Sequence, residues 1–343
     1  MAGVMGEMPG EIPQGEREHA FEFHGSGGEY FRIWIVNFLL SLVTLGIYSA
    51  WAKVRTQRYF ARSTRLAGSS FDYLADPIAI LKGRLLVLAF FALYTLVSAF
   101  ASPLEPLMGL ALFLLFPWAI VRSMAFRAHN TAWRNLRFRF DASYGNAFSA
   151  YVGLPFLSIL TLGLLYPYTV FQQRRFIVDH AAYGTTPFQM GSRTGDFYRL
   201  FLRISVVLLG IAMLMGALFA SVGEKGLVAA AVLALPLYFY VFGTYAAGVA
   251  NLTYDGASLG RHRLSADLPA ARMAWIYASN ALAMLASLGL LVPWAHVRLA
   301  RCRLQHLHLH AVGDLDAFVA AQAEEVASLG AELGDALDFD LGL

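Results

Sequence analysis

Residues 30–59 read Y-F-R-I-W-I-V-N-F-L-L-S-L-V-T-L-G-I-Y-S-A-W-A-K-V-R-T-Q-R-Y. An apolar run enters at Ile33, carries a polar Asn37, and breaks at Thr44-Leu45-Gly46. It resumes as a segment that grows basic at Lys53, Arg55 and Arg58. Glycine commonly closes a helix, so the stretch predicts helix, break, helix. A bilayer gives each part a reason. The apolar run partitions into hydrocarbon, Trp51 and Tyr59 suit the headgroup level, and the cations meet anionic lipid.

The stretch recurs. Thr161-Leu162-Gly163 is followed by Pro167-Tyr168 and Arg174-Arg175; Ser287-Leu288-Gly289 is followed by Pro293-Trp294, Arg298 and Arg301. Aligned on Gly46, Gly163 and Gly289, the aromatic falls at Trp51, Tyr168 and Trp294, a base falls at Arg58, Arg175 and Arg301, and Asn37 matches Asn280. Pro117-Trp118-Ala119-Ile120-Val121-Arg122 is a fourth, partial copy. Such ungapped self-similarity marks an internal repeat, and Pro167 and Pro293 suit the first turn of the second helix.

The segment T-L-G-I-Y-S-A-W-A-K-V-R-T-Q-R-Y-F, the F-E-F-H-G-S-G-G-E-Y before it and the acidic ending A-E-L-G-D-A-L-D-F-D-L-G-L resemble the YjgN-like family. These are bacterial inner-membrane proteins built on a domain of unknown function. The resemblance runs over nearly the whole chain. It implies a multi-pass place in the inner (plasma) membrane and carries over no catalytic residue.

At 58% hydrophobic and 14% charged residues, the chain lies beyond ordinary globular composition. A single cysteine, Cys302, excludes an internal disulfide. Residues 1–20 are polar and acidic and are expected to be a disordered leader, with no cleavable signal peptide. Residues 21–313 are expected to form one integral membrane domain. It holds signature repeats at about 30–73, 147–188 and 273–313 and long transmembrane hairpins at about 84–121 and 204–247. Residues 314–343, with eight acids and no base, form an acidic cytoplasmic tail. Residues 20–24 alternate like a short strand, 64–73 read as a small hairpin and 137–141 as a candidate strand, so small cytoplasmic β-hairpins are expected beside the helices. The expected fold class is therefore all-α and polytopic, with three repeated broken-helix elements.

Of 26 lysines and arginines, only Lys225 sits in a corner between long apolar runs. The positive-inside rule places every other basic loop in the cytoplasm. The signature segments then either re-enter, with their breaks buried against neighbouring copies, or cross as inverted repeats giving seven spans.

The candidate site residues follow from the repeat. Gly46, Gly163, Gly289, Pro167 and Pro293 are read as packed helix breaks. Trp51, Arg55, Arg58, Trp118, Arg122, Tyr168, Arg175, Trp294, Arg298 and Arg301 are read as interfacial lipid contacts, the plainer alternative being a snorkelling belt that only fixes depth. Asn37, Thr44 and Asn280 are candidates for a polar pocket. His306, His308 and His310 are the one cluster resembling a metal site, but the other copies hold no equal ligands, so no metal is expected. No cofactor, catalytic signature or nucleic-acid interface is legible, and no acid lies inside a long apolar run, which weakens a proton-coupled pump. The expected partners are membrane lipids with anionic headgroups; no protein partner is indicated. The expected function is non-enzymatic: organising lipid, or forming a shared site between repeats. The alternative is a small-solute transporter or channel with its path at the broken helices.

Overall fold

A computed structural model of the protein describes residues 16–100 and 102–340. Short strands alternate with paired helices. Strand β1 (Glu16–Phe23) precedes α1 (Gly27–Val43) and α2 (Ser49–Ser63). Strands β2 (Thr64–Leu66) and β3 (Ser69–Tyr73) lead to α3 (Pro77–Phe100) and α4 (Glu105–His129). After β4 (Thr131–Trp133) and β5 (Leu136–Phe140) come α5 (Tyr144–Phe148), a π-helical turn (Ser149–Gly153), α6 (Leu154–Leu160) and α7 (Tyr166–Asp179). Strands β6 (Ala181–Tyr183) and β7 (Thr186–Gln189) precede α8 (Thr194–Val222) and α9 (Glu224–Tyr254). Strands β8 (Ser258–Leu259) and β9 (His262–Ala266) precede α10 (Ala270–Ala286) and α11 (Val292–Gln305), and β10 (Leu307–Val312) precedes α12 (Leu315–Asp340).

The ten strands close into one antiparallel barrel in the order β1-β10-β9-β8-β7-β6-β5-β4-β3-β2. This overturns the expected all-α class. Each strand has only two to eight residues, and an isolated hairpin of that size is not stable in water. The strands gain stability together, because closure leaves no unpaired edge. Residues 16–20, expected in the disordered leader, form most of β1, which pairs with β10 and so joins the two ends of the barrel wall. The remaining leader residues, 1–15, lie outside the described residues, as do the tail residues 341–343.

Register decides where the helices go. Phe23 pairs with Thr64, Tyr73 with Thr131, Phe140 with Ala181, Gln189 with Ser258, and Leu307 with Ala266. Every helix pair thus leaves and rejoins the barrel at neighbouring positions on the same mouth. Five helical arms hang from that mouth, and the tight hairpin turns lie at the other. A crossing signature segment would have to separate strand ends that are hydrogen-bonded to each other, so the seven-span alternative fails.

The arms come in two lengths. In the three signature arms the outgoing segment is α1, then α5 to α6, then α10, each covering 17 residues, or about 25 Å. The returning helices α2, α7 and α11 have 15, 14 and 14 residues. In the other two arms the helices have 24 to 31 residues, about 36 to 46 Å. Among the described residues, three helices are long and apolar enough to cross a membrane: Pro77–Phe100, Glu105–His129 and Thr194–Ser221.

Arms α8–α9 and α10–α11 meet where α9 presents Gly243 to α10. A Cβ there would lie 2.5 Å from the Ala274 backbone nitrogen and 2.7 Å from its Cα. Backbone cannot yield as a flexible side chain can. Gly243→Ala is expected to cost about 1–3 kcal/mol through overpacking, read as a lower melting midpoint in detergent; Gly210→Ala, whose Cβ meets nothing within 4 Å, should melt like the parent.

Candidate functional site

The barrel wall alternates as a half-buried sheet must. On β5, Leu136, Phe138 and Phe140 turn inward while Arg137 and Arg139 turn out; on β10, Leu309 and Ala311 turn inward, alternating with His308 and His310. Register places an inward residue opposite another in each arm-bearing pair: Phe21 and Leu66, Phe71 and Trp133, Phe138 and Tyr183, Phe188 and Leu259, Leu264 and Leu309. Four of the five repeats therefore bring a phenylalanine to one level, and the fifth brings Leu264. Phe21, Phe71, Phe138 and Phe188 stack successively, with centroids 6.2, 6.3 and 6.4 Å apart. They surround an apolar chamber of about 290 Å³ in the barrel.

Helix α12 stoppers the hairpin mouth. Leu315, Phe318 and Val319 enter the core of the barrel. Gln322 Oε1 accepts from the backbone N–H of Thr185 (2.9 Å) and Thr186 (3.1 Å) and from the Thr185 hydroxyl (2.8 Å). Arg134 pairs with Asp316. Beneath the stopper, Tyr183 donates to the Trp133 carbonyl at 2.9 Å, and burial pushes its phenol far above the ordinary tyrosine range. Burial, reinforced by Arg261, lowers His262, whose Nδ1 accepts from the Val312 N–H at 3.2 Å.

At the opposite mouth the chamber adjoins a larger vestibule of about 750 Å³, the two sharing Phe21, Phe71, Tyr254 and Leu307. Helices α2, α7, α9, α10 and α11 all contribute to its wall. Its cations are Arg174 and Arg303, its neutral polar groups include Gln57, Thr131 and Thr253, and among the described residues no acidic one lines it.

The expected polar pocket does not form. Asn37 donates to the Ala52 carbonyl at 3.4 Å and Asn280 to the Ala295 carbonyl at 3.3 Å, each within its own arm. In the middle copy the same two positions bond with roles reversed, Thr169 Oγ1 donating to the Leu154 carbonyl at 3.3 Å. These are staples between outgoing and returning helices. Thr44 lies at the tip of its arm.

The breaks are turns, but they are not packed against neighbouring copies. A Cβ on Gly46, Gly163 or Gly289 would meet nothing within 4 Å, and the preceding Leu45, Leu162 and Leu288 are 94%, 96% and 94% exposed. Leucine and glycine both have positive φ, from 48° to 51° and from 86° to 91°, the region glycine tolerates best. The turn seals its own backbone instead. The glycine N–H donates to Ser41, Ser158 or Met284 at 2.7 to 2.8 Å. Thr44, Thr161 or Ser287 then accepts from the N–H of Tyr48, Leu165 or Leu291 at 2.9 to 3.3 Å. Pro167 and Pro293 are buried four residues on, where the first copy has the fully buried Ala50.

The arginines divide. Arg58 and Arg301 donate to the carbonyls of Tyr73 (3.2 Å) and Gly25 (2.8 Å), at strand-to-arm junctions of the adjoining repeats. Arg175 binds Asp179, which accepts from Met190 N–H at the matching junction. Arg55 bonds Tyr48, while Arg298 bonds Asn280 and lies over the Trp294 ring. Trp118 and Arg122 sit exposed on α4. Trp51, Tyr168 and Trp294 lie five residues from the tip glycine, nearer the tip than the arginine row. His308 and His310 face outward beside Glu18 and Glu16, and His306 beside Asp267; among the described residues no such group is placed to hold a metal.

The phenylalanine ring, the vestibule and the α12 stopper were missed from sequence. One signal could have found the ring: Leu66, Trp133, Tyr183 and Leu259 each precede a tight turn and are followed five residues on by Phe71, Phe138, Phe188 and Leu264.

A family model described as "Bacterial protein of unknown function (DUF898)" matches residues 18–336. The chain belongs to this family. The inner membrane protein YjgN of Escherichia coli O157:H7 is 30% identical over 167 residues, covering 48% of this chain and 40% of that protein. Its counterpart in Salmonella typhimurium is 33% identical over 148 residues, covering 42% and 37%. The match thus spans about two fifths of the length of these curated relatives. No solved structure matches the chain. With these relatives and three membrane-capable helices, the protein is placed in the bacterial inner membrane.

Two outcomes follow from the hydrogen bonds at the ends of the structure. Thr44→Val leaves the Tyr48 N–H unmet at an apolar tip and should cost about 1–3 kcal/mol, measured by unfolding in detergent, whereas Thr44→Ser should be nearly silent. Gln322→Ala strips the partner from two backbone donors. It should speed deuterium exchange at Thr185, Thr186 and the first turns of α12 while leaving the arms unchanged.

Proposed function

We propose that the protein is a non-enzymatic organiser of lipid around its arms, acting at the cytoplasmic leaflet. The carrying observation is the pair of arm lengths with exposed leucine tips on the short ones. From Val36 to its end at Val43, α1 is largely exposed and apolar, a rise of about 12 Å, and the exposed Leu45 and Ile47 of the turn lie beyond it, so the arm reaches about as far as one leaflet of a 30 Å core. The long arms match the whole core. A bilayer meeting both lengths around one barrel must thin or tilt locally, and such mismatch sorts lipids by chain length. The positive-inside rule puts the arm-bearing mouth, rich in arginine, at the cytoplasmic surface, where anionic headgroups are the natural partners. The solute-path alternative draws no support from the tips, which are self-sealed turns, or from the barrel axis, which is apolar and stoppered.

Single cysteines replacing Leu45, Leu162 or Leu288 in a Cys302→Ala background are expected to resist an impermeant maleimide from the periplasm. A cysteine at Gly223, the corner of a long arm, should react. Quenching of the same sites by lipids brominated at different depths should place them near mid-bilayer, with anionic phosphatidylglycerol enriched several-fold over phosphatidylcholine in the surrounding shell. Periplasmic labelling of Leu162→Cys, or a shell indifferent to headgroup charge, would refute the reading.

A further inference from the structure

The vestibule and barrel chamber have a chemistry that the leaflet role does not use. The inner chamber is walled mostly by aromatic and aliphatic side chains, with Leu315 and Phe318 of α12 above, and it shares Phe21, Phe71, Tyr254 and Leu307 with the vestibule below. An apolar chamber of this kind is poor at holding water and takes hydrocarbon readily. The vestibule adds two guanidinium groups, Arg174 and Arg303, and among the described residues no carboxylate lies in its wall. Arg303 spends one N–H on the Tyr277 hydroxyl at 2.9 Å, and Arg174 forms no ion pair among the described residues. Arg174 is half-buried and Arg303 stands exposed at the rim, so both guanidinium groups keep free donors beside this apolar wall.

We propose that this continuous space is a binding site for one anionic single-chain amphiphile. Its headgroup, a carboxylate or a phosphate, meets Arg174 and Arg303 in the vestibule, and its acyl chain passes the phenylalanine ring into the barrel. Charge assistance fixes the head, since guanidinium recognises both anions through several donors. Shape fixes the chain: the ring formed by Phe21, Phe71, Phe138 and Phe188 is interrupted at Leu264, where a smaller side chain leaves the wall less filled. The site lies inside the molecule, so it stands or falls apart from how the outer surface arranges lipid.

The test uses the full chain, delipidated in detergent and offered palmitate, palmitoyl lysophosphatidate or neutral monopalmitoylglycerol, with bound copies counted by native mass spectrometry. One retained copy of an anionic probe is expected, and the tighter of the two identifies the head as carboxylate or phosphate. Arg174→Gln with Arg303→Gln should weaken retention about tenfold or more, as for loss of a charge-assisted hydrogen bond. Leu264→Phe completes the ring and should weaken it similarly without touching the cations. Photo-crosslinking a diazirine-bearing fatty acid to the unaltered protein checks the chain's place even if a variant fails to fold. Adducts are expected on Trp133, Phe138 or Leu259. Equal retention of the neutral probe, indifference to both variants, or adducts confined to the outer faces of α3 and α4 would overturn the proposal.

Discussion

The structure depends on the hydrogen bonds that join strand ends far apart in sequence. Phe23 and Thr64 are neighbours across a ladder, although a whole helical arm lies between them; the same holds at four other places around the barrel. Because both ends of each arm are tied to one mouth, no arm can end on the far side of the membrane. Whatever length an arm has, it must go out and come back. This single constraint turns the charge asymmetry of the chain into a consistent topology, with the basic segments returned to one surface however many times the chain enters the apolar phase.

A second constraint is set at the tips. Backbone exposed in hydrocarbon is costly unless its polar groups are met. The short arms meet it locally: a glycine N–H reaches back five residues, and a threonine or serine hydroxyl accepts from the N–H of the residue that opens the returning helix, just before its first turn. A turn that satisfies itself needs no neighbouring helix to cover it. The leucine beside it, held at positive φ, is then free to face lipid. The strain of that leucine is tolerated because the two helices of the arm are stapled a few residues back by Asn37, Thr169 or Asn280.

The barrel end obeys the opposite logic. There the side chains, not the backbone, carry the demand for burial, and ten short strands meet it by turning their larger residues toward one axis. Helix α12 completes that burial with Leu315, Phe318 and Val319 and satisfies the turn at Thr185 through Gln322. The acidic character of the chain's end is therefore secondary to its first two turns, which are apolar on the side that enters the barrel. Among the described residues, its ion pair with a base is the one at Arg134.

Sequence by itself determined what periodicity and composition can carry: the membrane location, the three equal breaks at Gly46, Gly163 and Gly289, the two long hairpins and the short alternating stretches. These are signals of composition, periodicity and repetition, and none depends on which distant segments meet. Only the tertiary structure decided that the alternating stretches form one closed barrel, that all arms share a mouth, and that the phenylalanines of four repeats stand at one level around a chamber. Eight of the ten strands have two to five residues, too few side chains to announce their partners, and β-pairing across an intervening arm leaves no local trace. The fate of Asn37 and Asn280 shows the same limit. A buried amide in an apolar helix signals that a partner exists, but whether that partner is a shared pocket or the next helix of its own arm is settled by which helices meet.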